Sequence, residues 1–406
     1  MELGATPLWR NRDFTLLLTG RLLSTLGSQV TAIAYPLLVL AVTHSPAKAG
    51  IVGFAGLVPH AALGLLAGAA ADRWNRKRLM IAADGLRAVA IASLAALILL
   101  DRVAFWHIVV VALVEGTGAV VFTAAHAGAL RAVVPARQVP AAVGAIRARS
   151  AAVLLAGPPL GGVLFAVGRA VPFLFDAVSY AFGSLTLMLM RTPFQEVREV
   201  DRARLRTQIA EGFRFLWTQP FLRTCAFLYG LGNFTLPAVL LVIIVAGQRQ
   251  GLSSAGIGAL LAGFGACTLL GALASPLFRR AFSVRTIILL ELWTGLAIVA
   301  FVVWPNVYVL TAAFMVQGVT LPVTDSVVEG YRIAITPDRL LGRVETARST
   351  ISLLVAPLGP LVAGLLLTAT SARATVAFFA AFTLALALWG TLSPSIRNAP
   401  SLADLV

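Results

Sequence analysis

Residues 106–130 read WHIVVVALVEGTGAVVFTAAHAGAL, and this stretch decides what kind of protein the chain is. Glu115 is the only Asp, Glu, Lys or Arg within it. A helix rises about 1.5 Å per residue, so a helix of this length crosses the roughly 30 Å of hydrocarbon in a bilayer. The stretch therefore predicts a membrane-spanning helix that carries a single carboxyl group near its middle.

Comparable apolar stretches recur along all 406 residues of the chain. Hydrophobic residues make up 59% of the sequence and charged residues 12%, whereas soluble domains carry about 25% charged residues. We therefore expect an all-α integral membrane protein with twelve transmembrane helices. The predicted spans are residues 14–42, 48–71, 80–100, 106–130, 148–168, 171–191, 221–247, 254–277, 285–304, 307–331, 349–369 and 372–392.

The basic side chains alternate between the two sets of loops that join these spans. One set, which includes both termini, holds 25 of the 32 Lys and Arg residues, and the other set holds five. Loops rich in Lys and Arg stay in the cytoplasm. The sequence thus predicts that both termini are cytoplasmic, and the net charge of +15 reflects topology without requiring a nucleic-acid partner.

Two segments about 200 residues apart repeat each other. Residues 148–158 read ARSAAVLLAGP and residues 347–357 read ARSTISLLVAP, with six identical positions. Internal repeats of this kind are typical of transporters built from two related halves. We expect an N-terminal six-helix bundle at 1–191, a cytoplasmic linker at 192–220 and a C-terminal six-helix bundle at 221–406.

A charged motif follows the second predicted span. Residues 68–78, GAAADRWNRKR, resemble the loop motif of the major facilitator superfamily, Gly-x-x-x-Asp-Arg-x-Gly-Arg-Arg/Lys. In that family the motif latches the cytoplasmic ends of the two bundles. Asn75 replaces the usual glycine, and we expect it to adopt the left-handed conformation that such a turn requires. The matching residues are Gly68, where close helix contact is expected, and Asp72, Arg73, Arg76 and Lys77.

A second motif lies in the fifth predicted span. Residues 157–162, GPPLGG, resemble the Gly-Pro-x-x-Gly-Gly motif of antiporters in this superfamily. We expect Pro158 to bend the helix, and Gly157, Gly161 and Gly162 to let a neighbouring helix approach. Ordinary packing of small residues is the alternative explanation.

Three further segments resemble the branch of the superfamily that holds macrolide and enterobactin exporters. They are residues 8–30, 81–87 and 211–216. The resemblance implies the major facilitator fold, with two parallel-repeat bundles in the bacterial cytoplasmic (inner) membrane. It also implies proton-driven export of hydrophobic small molecules or drugs. A dedicated siderophore or metabolite exporter is an alternative, and a non-transporting membrane sensor or scaffold is an alternative of another class.

Ionisable groups inside the spans are the candidate functional residues, because charge in hydrocarbon is costly. Glu115 is expected to bind a proton or a cationic substrate, unless it is a structural carboxyl bonded to a neighbouring helix. Arg21 is a candidate to bind an acid or an anionic substrate, or else its side chain extends to the membrane surface. His60 and Asp325 complete the proton-coupling and substrate candidates.

Other polar and aromatic residues receive weaker predictions. Asp84 and Arg87 are one helical turn apart and are expected to pair, Asp176 is expected at the membrane interface, and Glu291 is interpreted as structural. An inner gate is expected from His126, Glu329, Arg332 and Arg343, near Asp325. The cavity candidates, for which helix packing is the alternative role, are Tyr35, Phe122, Phe234 and Phe264.

The sequence offers no signature of catalysis or of a bound cofactor. Cys225 and Cys267 are isolated thiols, and no metal-ligand spacing or nucleophile motif accompanies them. We therefore predict that the chain is not an enzyme and has neither a cofactor nor a metal. Its expected partners are the lipid bilayer, protons and a hydrophobic small-molecule substrate, and its expected state is a monomer.

Overall fold

Twelve helical segments in the described part of the chain are long and apolar enough to cross a membrane. A computed structural model describes residues 8–192, 194 and 205–399, in which all regular elements are helices. Short 3-10 helices occupy Leu8–Arg10, Ala136–Gln138, Gly295–Ile298 and Asp338–Leu340. The α-helices are α1 (Arg12–Thr43), α2 (Pro46–Arg73), α3 (Arg76–Leu99), α4 (Phe105–Val133), α5 (Val139–Val167), α6 (Val171–Leu189), α7 (Leu205–Thr218), α8 (Pro220–Gly232), α9 (Thr235–Arg249), α10 (Ser254–Ala281), α11 (Val284–Thr294), α12 (Val299–Val303), α13 (Val307–Ile335), α14 (Leu341–Leu354), α15 (Leu358–Ala369), α16 (Ala372–Leu392) and α17 (Pro394–Arg397).

The twelve predicted spans each coincide with one of these segments, so the predicted helix number is confirmed. The predicted starts of the fifth and eleventh spans, at residues 148 and 349, are too late, because α5 starts at Val139 and α14 starts at Leu341. Arginine is a good helix former but strongly lowers local hydropathy. A helix that extends beyond the apolar layer therefore escapes a prediction based on hydropathy.

Three of the spans in the second half are not continuous α-helices. The seventh consists of α8 and α9, the ninth changes to a 3-10 turn at Gly295–Ile298, and the eleventh is divided between α14 and α15. Pro357 lies in the last of these breaks and has no backbone N–H to continue the hydrogen bonding of α14. Breaks inside a membrane are tolerated where neighbouring helices pack around them.

The chain forms two compact units, and the first comprises residues 1–42 and 55–201. Within it α3 packs against both α4 and α6. Near the basic loops, the side chains of Phe14, Met80, Phe122 and Leu187 form part of a hydrophobic core.

The second unit comprises residues 43–54 and 202–406. Its core joins α8, α11 and α13 through residues such as Phe221, Ile288 and Val327. The first turns of α2 belong to this unit because they pack on α15, where the backbone N–H of Ala47 donates to Thr368 Oγ1 at 2.9 Å. The domain boundaries expected from the sequence repeat remain a prediction.

Large apolar side chains are exposed along many of the spanning helices. A soluble monomer rarely exposes apolar surface on this scale, whereas lipid tails favour it. This distribution agrees with a multi-pass membrane protein. Examples of these side chains are Leu66, Val89, Val110, Leu185, Leu273, Val303, Leu365 and Leu388.

Close packing between α5 and α1 depends on the glycines of the Gly-Pro-x-x-Gly-Gly segment. A Cβ atom on Gly157 would lie 2.5 Å from Gln29 Cβ, and one on Gly161 would lie 2.8 Å from the carbonyl oxygen of Val30. The predicted close approach is therefore present at both positions. Helix α5 continues from Val139 to Val167 through Pro158.

We expect Gly161→Ala to lower the free energy of unfolding by about 1–3 kcal/mol, because the added methyl group meets backbone atoms that cannot move aside. Thermal unfolding of the purified chain in detergent measures this change. Gly144→Ala in the same helix is the matched control, since a Cβ atom there has nothing within 4 Å. The control should be neutral or stabilising by up to about 1 kcal/mol, and equal losses in the two variants would contradict the packing role of Gly161.

Candidate functional site

Glu115 of α4 lies at the centre of a buried polar network in the first unit. Tyr35 Oη of α1 donates to Glu115 Oε2 at 2.8 Å, and Tyr180 Oη of α6 donates to Glu115 Oε1 at 3.0 Å. The side chain of Glu115 is 13% exposed. The carboxyl therefore has direct partners on two neighbouring helices, as the structural alternative in the sequence analysis expects.

Arg87 of α3 supplies the positive charge of this network. Its Nη1 atom lies 3.3 Å from Asp84 Oδ1, which confirms the predicted pair, and its Nη2 atom lies 3.8 Å from Glu115 Oε1. Nη2 also donates to Ser28 Oγ at 3.2 Å and to the hydroxyl of Tyr180. The guanidinium group is 3.9 Å from the centroid of the Tyr180 ring, a geometry that favours cation–π attraction. One guanidinium thus connects α1, α3, α4 and α6.

Because Gly118 has no side chain, the side chain of Arg87 can pack directly against the backbone of α4. A Cβ atom on Gly118 would lie 2.6 Å from Cγ and Cδ of Arg87. Because Gly118 follows Glu115 by almost one helical turn, the same face of α4 provides both the carboxylate and the space for its cation.

Asp176 of α6 forms a second buried carboxyl site on the same side of α1. Thr31 Oγ1 donates to its Oδ2 at 2.8 Å, and Ser179 Oγ donates to its Oδ1 at 3.0 Å. The side chain is fully buried, and its expected position at the membrane interface stays a prediction. Helix α6 begins at Val171, which places Asp176 beyond the first turn and against α1 at Gly27.

The charges of this region do not balance when all its carboxyl groups are ionised. Among the described residues, Glu115, Asp84 and Asp176 face two guanidinium groups, and only Arg87 is in direct contact with carboxylates. Arg21 acts on Asp84 from a greater distance. Burying an uncompensated carboxylate costs several kcal/mol, so the network favours retention of at least one proton.

Other predicted residues surround the network without forming one site. The guanidinium group of Arg21 lies 4.4 Å from the centroid of the Phe122 ring, and the ring of His126 stacks on Phe122 at 5.9 Å. In α2, His60 Nδ1 is buried and makes no hydrogen bond within the described part of the chain. Phe122 is thus a buried platform for two basic side chains.

The four aromatic cavity candidates all make packing or network contacts. Tyr35 contacts Phe173 edge to face as well as Glu115. Phe234 packs on Phe379 and Phe382 with centroids 5.1 Å apart in both cases, and Phe264 stacks on Phe314 at 4.2 Å.

The loop motif differs from its expected geometry at two positions. Asn75 is an extended N-cap residue of α3, with φ −61° and ψ 112°, so the expected left-handed conformation is wrong. Its side chain accepts a hydrogen bond from the backbone N–H of Arg78 at 3.0 Å, which satisfies one free donor of the first turn. A Cβ atom on Gly68 has nothing within 4 Å, so the expected close contact there is also wrong.

The basic residues of the motif bind backbone carbonyl groups of the same unit. Lys77 Nζ donates to the carbonyl oxygen of Met190 at 2.6 Å, and Arg76 Nε donates to that of Ala71 at 3.2 Å. Arg73 is exposed, and the side chain of Asp72 lies outside the described part of the structure. The described contacts therefore fasten the loop to the end of α6.

The predicted inner gate is divided among separate groups. Glu329 pairs with Arg332 at 2.5 Å in the second unit, whereas Arg343 pairs with Glu211 of α7 and His126 belongs to the first unit. Asp325 is exposed.

Two members of the Glu329–Arg332 network, Glu345 and Arg348, were not predicted from the sequence. Glu345 lies 3.4 Å from Arg332 and 2.7 Å from Arg348, which joins α13 to α14. The spacing of Glu345 and Arg348 by three residues in a helix is a signal that identifies such a pair.

Twelve apolar spans with a buried carboxylate–arginine network are features of a polytopic membrane transporter rather than of an enzyme. The family model described as transmembrane secretion effector, from the major facilitator superfamily, matches residues 4–398. The chain belongs to this family.

Two curated relatives and one solved structure illustrate the similarity. A protein named multidrug efflux pump Tap from Mycolicibacterium fortuitum is 28% identical, with 94% of this chain and 96% of Tap covered. Macrolide efflux protein A from Streptococcus pyogenes is 24% identical over 46% of each chain. A crystal structure of a mutant of the nucleoside transporter NupG superposes with a TM-score of 0.77 at 11% identity, covering 94% of this chain and 99% of NupG, which shows a common fold.

We expect Arg87→Met to lower the free energy of unfolding by about 3–5 kcal/mol, because it leaves buried carboxylates without their cation. The double variant Arg87→Met/Glu115→Gln should recover part of this loss. Thermal unfolding in detergent measures both changes, with Arg102→Met in an exposed turn as the control. Equal stability of Arg87→Met and Arg102→Met would contradict the account of the network.

Proposed function

We propose that the chain is a secondary active transporter that exports hydrophobic small molecules, drugs among them, in exchange for protons by alternating access. The observation that carries this proposal is the network in which Glu115 shares Arg87 with Asp84 inside the membrane-spanning part of the first unit. The efflux activities named for the Tap and macrolide efflux relatives support the class of substrate.

The network suggests how a proton is coupled to movement of helices. Ionised Glu115 attracts Arg87 and accepts hydrogen bonds from Tyr35 and Tyr180. Protonation of Glu115 removes its charge, so Asp84 is then the one described carboxylate still in contact with Arg87. Because the four partners lie on four helices, this change alters the relative stability of their arrangements, which is the requirement for coupling.

The substrate is proposed to compete with the proton for the same charge. A cationic, apolar drug replaces the positive charge of the proton near Glu115. The surrounding aromatic side chains provide faces for contact with its charge and its rings. The exposed apolar surface of the spans places the chain in a bilayer, and the basic loops support cytoplasmic termini in a bacterial inner membrane.

The two family motifs are proposed to serve the alternating movement. Lys77 fastens the loop between α2 and α3 to the end of α6, so the loop moves with the first unit. Gly157 and Gly161 keep α5 in contact with α1, which carries Tyr35 and Ser28 of the network. Movement of α1 and α5 as a pair then changes the contacts of Tyr35 and Ser28 with the network residues on α3, α4 and α6.

We expect Glu115→Gln to abolish export driven by a pH gradient, because the amide retains the size of the side chain but binds no proton. The measurement is accumulation of a cationic dye such as ethidium in proteoliposomes, across a panel that also includes macrolides and an anionic siderophore. Asp101→Asn in the exposed turn after α3 is the matched control and should transport as the wild type does.

The outcomes of this assay separate the candidate functions. Gradient-driven flux that persists in Glu115→Gln would contradict the role of Glu115. Flux of the siderophore alone would favour a dedicated exporter, and the absence of wild-type flux for every compound would overturn the transport proposal in favour of a sensor or scaffold.

A further inference from the structure

Glu291 of α11 is a buried carboxyl group in the second unit that the proposed transport mechanism does not use. Only 6% of the residue is exposed, and its Oε2 atom makes no hydrogen bond within the described residues. It lies seven residues after Val284, the first residue of α11, or roughly 10 Å along the helix. This depth places the carboxyl well inside the membrane-spanning segment.

The polar groups nearest to Glu291 carry no compensating charge. The hydroxyl groups of Tyr229 on α8 and Thr324 on α13 are its polar neighbours. Tyr229 Oη is also buried and makes no hydrogen bond of good geometry in the described structure. A phenolic donor that is not engaged elsewhere is therefore available beside a carboxyl that lacks a cation.

The helices packed against α11 present few titratable groups to this site. Helix α8 adds the buried thiol of Cys225, and α13 adds Asp325, which has an exposed side chain. The only titratable residue of helix α16 is Arg373, which lies in the first turn, at the end of α16 away from Glu291. Helix α17 carries Arg397, which is exposed and donates to the carbonyl oxygen of Thr391 at 3.4 Å.

Basic residues on the remaining neighbours also lie away from the carboxyl. Arg279 and Arg280 are in the last turn of α10 and are exposed, and Arg285 is exposed in the first turn of α11 itself. Arg348 acts on Asp325, and Arg332 pairs with Glu329 and Glu345. No basic side chain of the described residues is thus in contact with Glu291.

We propose that Glu291 is a second proton-binding site of this chain, with Tyr229 as its hydrogen-bonding partner and exposed Asp325 as its access group. An isolated carboxylate in an apolar interior costs far more than a neutral carboxylic acid, so the arrangement favours the protonated side chain. Thr324 lies beside Asp325 in sequence and contacts Glu291, which provides a short polar route from the exposed carboxyl to the buried one.

The position of Glu291 has a parallel in the first unit. Asp84 lies nine residues after Asn75, the N-cap of α3, and Glu291 lies eight residues after Ser283, the N-cap of α11. These helices are the third spans of their respective halves. Asp84 is paired with Arg87, whereas Glu291 contacts no cation in the part of the chain that the structure describes, so the two related positions differ in how their carboxyl groups are neutralised. This proposal does not rest on the role of Glu115.

Infrared spectroscopy of the full chain in lipid vesicles tests the proposal through the C=O band of protonated carboxylic acids. At neutral pH we expect Glu291→Gln to remove from this band the contribution of one carboxyl group. Glu345→Gln, at a partly exposed and ion-paired carboxylate, is the matched control and should leave the band unchanged. An unchanged band in Glu291→Gln would overturn the proposal.

Two further variants keep the test informative. Glu291→Asp retains an acid and should shift the band, which assigns it even when Glu291→Gln does not fold. An Asp variant with no shift would contradict the assignment.

Asp325→Asn tests the access role of Asp325. This variant should leave the intensity of the C=O band unchanged, but the shift of the band caused by deuterium exchange in D2O should be several-fold slower than in the wild type. Exchange at the wild-type rate would contradict the role of Asp325 as access group.

Discussion

The contact between Arg87 and two carboxylates is the interaction on which the first unit depends. Inside a membrane no bulk water solvates charge, so the guanidinium group and its partners must neutralise one another. Arg87 contacts Asp84 on its own helix, Glu115 on α4, Ser28 on α1 and Tyr180 on α6. A single cation thereby joins four helices, and under the proposed mechanism their arrangement responds to one proton.

Buried carboxyl groups have different partners in the two units. In the first unit, carboxylates share an arginine and several hydroxyl donors on neighbouring helices. In the second unit, ion pairs such as Arg332–Glu345 lie in a more exposed region, and Glu291 is buried with no cation in contact among the described residues. A parallel repeat of sequence therefore does not imply a repeat of electrostatics.

Hydropathy predicts the fold well because the bilayer imposes its thickness on every span. Residue spacing alone predicts the twelve segments and the Asp84–Arg87 pair. It also identifies Glu115 as the only charged residue within its predicted span. The hydroxyl groups of Tyr180 and Ser28 were not predicted as partners, because residues 152 positions apart meet only through packing of α1 on α6. The burial of Asp176 likewise depends on the close approach of α6 to Gly27, which residue spacing does not reveal.

The central claim is that the Arg87–Glu115 network binds a proton that the substrate displaces. Purified chain in a weakly buffered detergent solution, with a pH indicator, tests this claim directly on addition of ethidium. The account predicts release of protons as the dye binds, and loss of that release in Glu115→Gln while binding of the dye persists. Dye binding without proton release by the wild-type chain, at every pH between weakly acidic and weakly alkaline, would contradict it.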